Sequence, residues 1–211
     1  MRILVTAGPT REYFDDVRFI SNASSGRLGY AIGAEAARRG HHVVLVSGPV
    51  GLPTPDGAEL VPVVTGRDML DACRSRFEGC DAAVMCAAVC DYRPASQAQG
   101  KAAKIREAHS VTLEPTEDIC AILGKMKHGA EHDRIIVGFA LETHEGRARA
   151  EAKLRRKRCD AIVLNHPVGI GEDETTIEVF VPGKGWSGPR SGAKADLAAD
   201  VIDLVDRLAA C

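Results

Sequence analysis

Arg2-Ile3-Leu4-Val5-Thr6-Ala7-Gly8-Pro9 opens the chain; Ser24-Ser25-Gly26-Arg27-Leu28-Gly29 leads an Ala-rich run to Arg39-Gly40; His42-Val43-Val44-Leu45-Val46-Ser47 follows. Residues 2–6 are a β-branched run halted by Gly8-Pro9, so they read as a buried strand. Residues 28–39 read as a helix stopped by Gly40, and residues 42–47 as a second strand. Strand, helix and strand in that order are one βαβ unit, which requires parallel strands and a right-handed crossover.

Working outward, the alternation continues. Val61 to Thr65 reads as a strand. Arg67 to Phe77 puts Met69, Leu70, Cys73 and Phe77 on one helical face. Ala82 to Ala88 is apolar throughout, as a strand covered on both faces must be. Val89 to Ser110 is polar and without period, a loop long enough to be functional. Val111 to Leu113 restores a short strand, and Glu117 to Lys127 a helix with Thr116 as its N-cap. Arg134 to Ala140 and Asp160 to Asn165 are further strands around a basic helix, Gly146 to Arg158. Ile177 to Val181 and the segment at Trp186 read as a hairpin, and Lys194 to Leu208 as a closing amphipathic helix. The expectation is a single α/β domain over residues 1–211: a Rossmann-like, doubly wound, mostly parallel sheet with a C-terminal hairpin extension.

Composition narrows the function. Lys and Arg total 27 against 29 Asp and Glu, a formal charge of −2, which lacks the basic footprint of a nucleic-acid binder. No apolar run approaches the roughly 20 residues of a membrane span. Met1-Arg2 runs directly into the first strand, so no signal-peptide core is expected, and the cytoplasm is the expected compartment. Seven cysteines with no CxxC pair, among them Cys73, Cys86, Cys120 and Cys159 in apolar runs, read as buried free thiols. His128 and His132 are four apart, but Gly129 interrupts the helix and no further ligands accompany them.

Loops at the carboxyl ends of the strands carry the chemistry of such a fold. Gly26-x-x-Gly29 opens the first helix, whose N-terminus offers unpaired N–H groups to an anion. Ser24 and Ser25 either cap that helix or donate to a phosphate. The long insertion after Gly8 replaces the tight glycine turn of a dinucleotide site, which disfavours an NAD(P)-dependent reductase. Asn22 is either a turn residue or an oxyanion donor. Asp91, after the buried strand, can take a ribose, a base or a metal, or pair with Arg93. Lys101 and Lys104 either face water or reach a phosphate. Phe139 is a base-stacking or a core residue. Lys153 and Lys157 share a helical face, either solvated or turned to a ligand.

Together these pieces resemble one family. Thr6-Ala7-Gly8-Pro9-Thr10-Arg11-Glu12 with Val17-Arg18-Phe19-Ile20-Ser21-Asn22-Ala23-Ser24-Ser25-Gly26-Arg27-Leu28-Gly29 resembles the opening signature of phosphopantothenate–cysteine ligases. Leu45-Val46-Ser47-Gly48-Pro49-Val50, Ala87-Ala88-Val89-Cys90-Asp91-Tyr92-Arg93-Pro94, Lys104-Ile105-Arg106 and Val137-Gly138-Phe139-Ala140-Leu141-Glu142-Thr143 follow in that family's order, so the likeness covers nearly the whole chain. The resemblance implies a two-step ligation of 4′-phosphopantothenate to L-cysteine through an acyl-nucleotidyl intermediate, with CTP rather than ATP as nucleotide and Mg²⁺ brought by the triphosphate. It implies Asn22 at the acyl carbon in the second step and Lys104 at the phosphates in the first. Gly8, Ser24, Ser25, Gly26, Met85, Cys86, Ala87, Asp91, Glu117, Asp118, Ile119, Cys120, Phe139, Lys153 and Lys157 fall where the family grips the nucleotide. The chain begins at the ligase's first strand, so no flavin is expected. A homodimer touching near Trp186 and a separate decarboxylase partner are implied as well. Departures from the family pattern are Arg27-Leu28 for Lys-Met, Cys90 for Ala, Thr116-Glu117-Asp118 for Asn-Pro-Asp, and Arg106 in a thinner lysine loop; they bear on nucleotide choice. The rival from another class is a nucleotide-binding module without turnover, which has no use for Asn22 and Lys104.

Overall fold

A computed structural model describes residues 1–101, 103–104, 110–128, 133–166 and 172–210. Its elements run β1 (Arg2–Ala7), β2 (Arg11–Tyr13), β3 (Phe19–Ser21), α1 (Arg27–Arg38), β4 (His42–Ser47), β5 (Ala58–Pro62), α2 (Gly66–Phe77), β6 (Ala82–Met85), β7 (Tyr92–Pro94), β8 (Leu113–Pro115), α3 (Ile119–Met126), β9 (Ile135–Leu141), α4 (Gly146–Lys157), β10 (Ala161–Asn165), β11 (Glu174–Val181), β12 (Gly185–Trp186), β13 (Arg190–Ala193) and α5 (Lys194–Ala209).

Six strands pair in parallel in the order β5-β4-β1-β6-β9-β10. β11 adds antiparallel to β10 and carries β12 and β13 on its far edge. The chain therefore winds outward in both directions from β1, and the switch point lies between β1 and β6, where such sheets bind ligands.

Alternation along each strand sorts the core into two layers. Ile3, Val5 and Ala7 of β1 join Val43, Leu45, Val84 and Val163 beneath α1 and α5. Leu4 joins Val44, Val46, Ala83, Ile136 and Ile162 beneath α2, α3 and α4. Both faces are covered, which is why the strands read as unbroken apolar runs. α1 lies close on β1 because Gly29 has no side chain: a Cβ there would sit 2.6 Å from the Cβ of Ala7. Arg39 ties α1 to α5 through Asp203 at 2.5 Å and Asp206 at 3.2 Å.

The doubly wound plan and the Trp186 hairpin agree with the sequence expectation, and several boundaries move. The strand expected at 61–65 is β5, which starts at Ala58 and ends at Pro62. Val63 N–H still bonds the Ser47 carbonyl at 2.9 Å, but Thr65 is taken up as the N-cap of α2, in a capping box with Asp68. The apolar run 82–88 is a strand only to Met85; Cys86 to Ala88 turn aside, with Ala87 N–H on Thr6 Oγ1 at 3.1 Å. The strand expected at 111–113 lies at Leu113–Pro115. Asp118, not Thr116, caps α3: its Oδ1 accepts from Ala121 N–H at 3.1 Å, while Thr116 Oγ1 donates to the Cys90 carbonyl. β2, β3 and β7 were not foreseen; β2 pairs antiparallel with β3, and β7 with β8. Three-residue strands are too short to show a period.

Among the described residues the cysteines are free thiols. His128 pairs with Asp133 at 2.9 Å, His132 lies outside the described residues, and no cluster of three or more metal-ligating side chains occurs among those described. No helix among the described residues is long and apolar enough to cross a membrane.

Candidate functional site

At the carboxyl ends of β1, β6 and β9 the chain leaves a cavity of about 500 Å³. Three segments wall it: Asn22 to Gly29 leading into α1, Met85 to Asp91 after β6, and Thr116 to Cys120 leading into α3. Phe139 to Leu141 form a further wall, and Lys153 and Lys157 reach in from α4.

The segment after β6 is laced to the loop after β1. Ala88 N–H donates to the Gly8 carbonyl at 2.9 Å, Cys90 N–H donates to Thr10 Oγ1 at 3.0 Å, and Pro9 bridges Ala88. Asn22 completes the lacing. Its Nδ2 donates to the carbonyls of Ala88 at 3.0 Å and Val89 at 3.1 Å. Two carbonyl acceptors fix the amide's orientation, because the opposite flip would set oxygen against oxygen. Both amide hydrogens are thus committed, so in this geometry Asn22 offers no oxyanion donor. Its Oδ1 remains as an acceptor.

Gly26, in the left-handed region with φ 75°, is the N-cap of α1, and no side chain among the described residues caps the helix. Ser24 and Ser25 therefore do not cap that helix: Ser24 Oγ accepts from Gly26 N–H at 3.4 Å, and both serines line the cavity. A helix of 12 residues with an uncapped N-terminus facing a cavity favours an anion there.

The opposite wall holds charge in pairs. Lys153 Nζ meets Glu142 at 2.5 Å and Lys157 Nζ meets Asp118 at 3.0 Å. The shared face of α4 is thus turned to the cavity and is not merely solvated. Glu117 is held by Arg67 at 3.0 Å and Arg93 at 3.3 Å; its own backbone N–H and these cations keep its carboxyl below the usual range. Asp91 is exposed, and its carboxylate makes no side-chain hydrogen bond or ion pair among the described residues. Burial pushes the Cys86 thiol up to about 12. Phe139 serves both readings, lining the cavity while packing on the core beneath α1 and α5.

Met85, Cys86, Ala87, Ile119 and Cys120 also stand in the cavity wall. Gly8 does not line it; its carbonyl anchors the wall from behind. Lys104 is exposed and not among the lining residues, and Ile105 and Arg106 of its motif lie outside the described residues. Sequence reasoning missed Thr6, Arg27, Asn165 and Lys194, all of which line the cavity. Lys194, the first residue of α5, is nearly buried and donates through Nζ to the Glu172 carbonyl. Burial, and then the charge of Arg27, hold its ammonium below the usual lysine range. A lysine opening a helix against the macrodipole was the available signal.

A family model described as the DNA/pantothenate metabolism flavoprotein C-terminal domain matches residues 1–208. The chain is 42% identical over 210 residues to the coenzyme A biosynthesis bifunctional protein CoaBC of Vibrio cholerae, covering 97% of this chain and 52% of that protein. It is 39% identical over 206 residues to a cysteine/cysteine sulfinic acid decarboxylase of an unknown prokaryotic organism, covering 95% of this chain and 56% of that one. The chain thus spans about half the length of these curated relatives. Its fold matches the crystal structure of the C-terminal domain of CoaBC with a TM-score of 0.80 and 34% identity, over 98% of this chain and 94% of that one.

Proposed function

The chain belongs to the family of the DNA/pantothenate metabolism flavoprotein C-terminal domain, and from that premise we propose that it joins 4′-phosphopantothenate to L-cysteine at the expense of CTP. One observation carries the reading. A single cavity at the sheet's switch point gathers an uncapped helix N-terminus, Asn22, Asp91, Phe139 and the Lys153/Lys157 face.

In the first step the pantothenate carboxylate attacks the α-phosphorus of CTP and pyrophosphate leaves. The residues needed there spread and screen phosphate charge. Lys153 and Lys157 supply that charge once the phosphates compete with Glu142 and Asp118. Lys104 acts in the same step and must bring its side chain into the cavity to do so. Ser24, Ser25 and the first turn of α1 hold an anionic group at the other end. Phe139 and the Glu117–Cys120 segment border the nucleotide. Mg²⁺ neutralises triphosphate charge when bound. The donor set suits it, since a hard ion that keeps its waters needs only one or two carboxylates besides phosphate, and Asp91 is such a carboxylate.

In the second step the amine of cysteine attacks the acyl carbon, the C–N bond forms, and CMP leaves with the acyl oxygen. Asn22 Oδ1, which has no partner among the described residues, accepts from that amine and aims it. Neither step transfers electrons, so the reaction as written uses no flavin. The active species is a homodimer in the cytoplasm, and its product is a carboxylated thiol suited to a decarboxylase.

Pyrophosphate release from CTP or ATP, measured with and without phosphopantothenate and cysteine, tests the reading. Release should require phosphopantothenate, and CTP should exceed ATP. Release indifferent to phosphopantothenate, or CO₂ from cysteine sulfinate in its place, would remove the ligase reading.

A further inference from the structure

Two cysteines with no part in that chemistry as nucleophiles stand side by side at the nucleotide end of the cavity. Cys120 lies in the first turn of α3 and lines the cavity; Cys159 follows Arg158, the left-handed residue that ends α4. Their Sγ atoms are 3.5 Å apart, and the residues are 8% and 6% exposed. A disulfide needs a separation of about 2.05 Å, so the two sulfurs are about 1.5 Å from bonding distance. Two residues before each stand Asp118 and Lys157, paired at 3.0 Å. The thiols and this cavity ion pair therefore hang on the same two chain ends. Electrostatics favour attack by one of the two. The hydrogen bond from Cys159 and the charge of Lys157 hold Cys120 below the usual thiol range, while burial drives Cys73 and Cys86 up to about 12.

We propose that Cys120 and Cys159 are a redox modification site, a dithiol that a peroxide closes to a disulfide, loosening the chain's hold on its nucleotide. The regulatory half rests on the nucleotide reading of the cavity. The chemistry balances without further reagents. The Cys120 thiolate attacks hydrogen peroxide, its sulfur gains oxygen, and hydroxide leaves to take a proton. Cys159 then attacks the sulfenic sulfur, the S–S bond forms, the S–O bond breaks, and a second water leaves. Two electrons pass from the sulfur pair to the peroxide.

Closure bears on the cavity because the helices cannot simply approach. A Cβ on Gly124 of α3 would fall 2.0 Å from the Lys157 carbonyl, so the backbones already touch there. What remains is rotation about the Cys120 and Cys159 side-chain bonds and of the two turns that carry them. Rotation of those turns shifts Asp118 and Lys157 against each other at the cavity wall.

The test treats the full chain with graded hydrogen peroxide, blocks residual thiols, and maps peptides by mass spectrometry. A peptide linking Cys120 to Cys159, two hydrogens lighter, should form before Cys73 or Cys86 reacts, and CTP should slow it. The rise in Tm caused by CTP should then report about tenfold weaker binding, as loss of one charge-assisted contact entails, and dithiothreitol should restore it. Cys159→Ser, which keeps a donor to Cys120, should abolish the link and leave a Cys120 sulfenic acid that dimedone traps. Oxidation of Cys73 or Cys86 without the 120–159 link overturns the site. A complete link with unchanged CTP affinity overturns the regulation. A reduced chain whose Tm ignores CTP refutes the nucleotide reading and the regulatory half with it, and the peptide map then decides the dithiol by itself.

Discussion

Replacing Gly29 with alanine places a Cβ 2.6 Å from the Cβ of Ala7 and 3.1 Å from its Cα. Carbon atoms pack at about 3.5–4.0 Å, so the first turn of α1 must retreat from β1 by about 1 Å. Overpacking of this kind costs about 1–3 kcal/mol, and alanine returns about 0.5–1 kcal/mol of helix propensity. At the middle of both ranges the net loss is about 1.3 kcal/mol, or about 3–5 °C in Tm for a chain of this size. Residues Asn22 to Gly29 wall the cavity, and a misplacement of about 1 Å at a reacting centre can cost about 100-fold in rate. Gly33, one turn further along the same helix, is the control. Its Cβ would meet Leu45 Cδ1 at 3.7 Å and Val43 Cγ1 at 3.8 Å, ordinary contacts. Gly33→Ala should therefore stabilise the chain by about 0.5–1 kcal/mol. Calorimetry of both variants with pyrophosphate turnover checks the pair. A Gly29→Ala protein as stable as the parent, or a Gly33→Ala protein equally destabilised, would refute the packing argument.

Lys157→Met removes the partner of Asp118 and should raise the KM for CTP about tenfold while moving Tm little; an unchanged KM would return α4 to the solvated reading. Asn22→Asp keeps the shape but sets an acceptor against the Ala88 and Val89 carbonyls, at 3.0 and 3.1 Å in the parent. Its kcat should fall about 100-fold through misplacement of the amine, and single-turnover kinetics at parental speed would dismiss Asn22 from the second step. Arg38, then Arg39, hold the Glu35 carboxyl at about 2, below its ordinary 4.5. The stability it contributes is therefore complete above pH 4.5 and is lost as pH falls toward 2. Glu35→Gln should cost about 1 kcal/mol at neutral pH, and the gap in denaturant midpoints should close near pH 2; a gap constant with pH contradicts the assignment.

Much of the architecture was legible because a doubly covered strand and an amphipathic helix each leave a long periodic trace. β1, β4, β9, α2, α4 and α5 fall within a few residues of expectation. β2, β3 and β7 left none, since three residues cannot display a period. The Ala82–Ala88 run misled for a related reason: its apolar character continues past the strand because Cys86 to Ala88 stay half-buried against the cavity. The site was legible in its residue types and not in their commitments. Asn22 was visible, but the carbonyls that claim its amide hydrogens lie 66 and 67 residues away. Lys153 and Lys157 were visible on one face, but their pairing with Glu142 and Asp118 was not.

By itself the sequence determined which of the longer segments are strands and helices and that they wind in parallel, because burial on both faces and right-handed crossovers are properties of each local run. Only the tertiary structure decided which loops meet. Strand order brings the end of β1 beside the end of β6, and so sets Asn22, Asp118, Lys157 and Lys194 around one cavity although they lie far apart along the chain. That depends on pairing and register across the sheet, and no local pattern encodes a contact whose partner lies a hundred residues on.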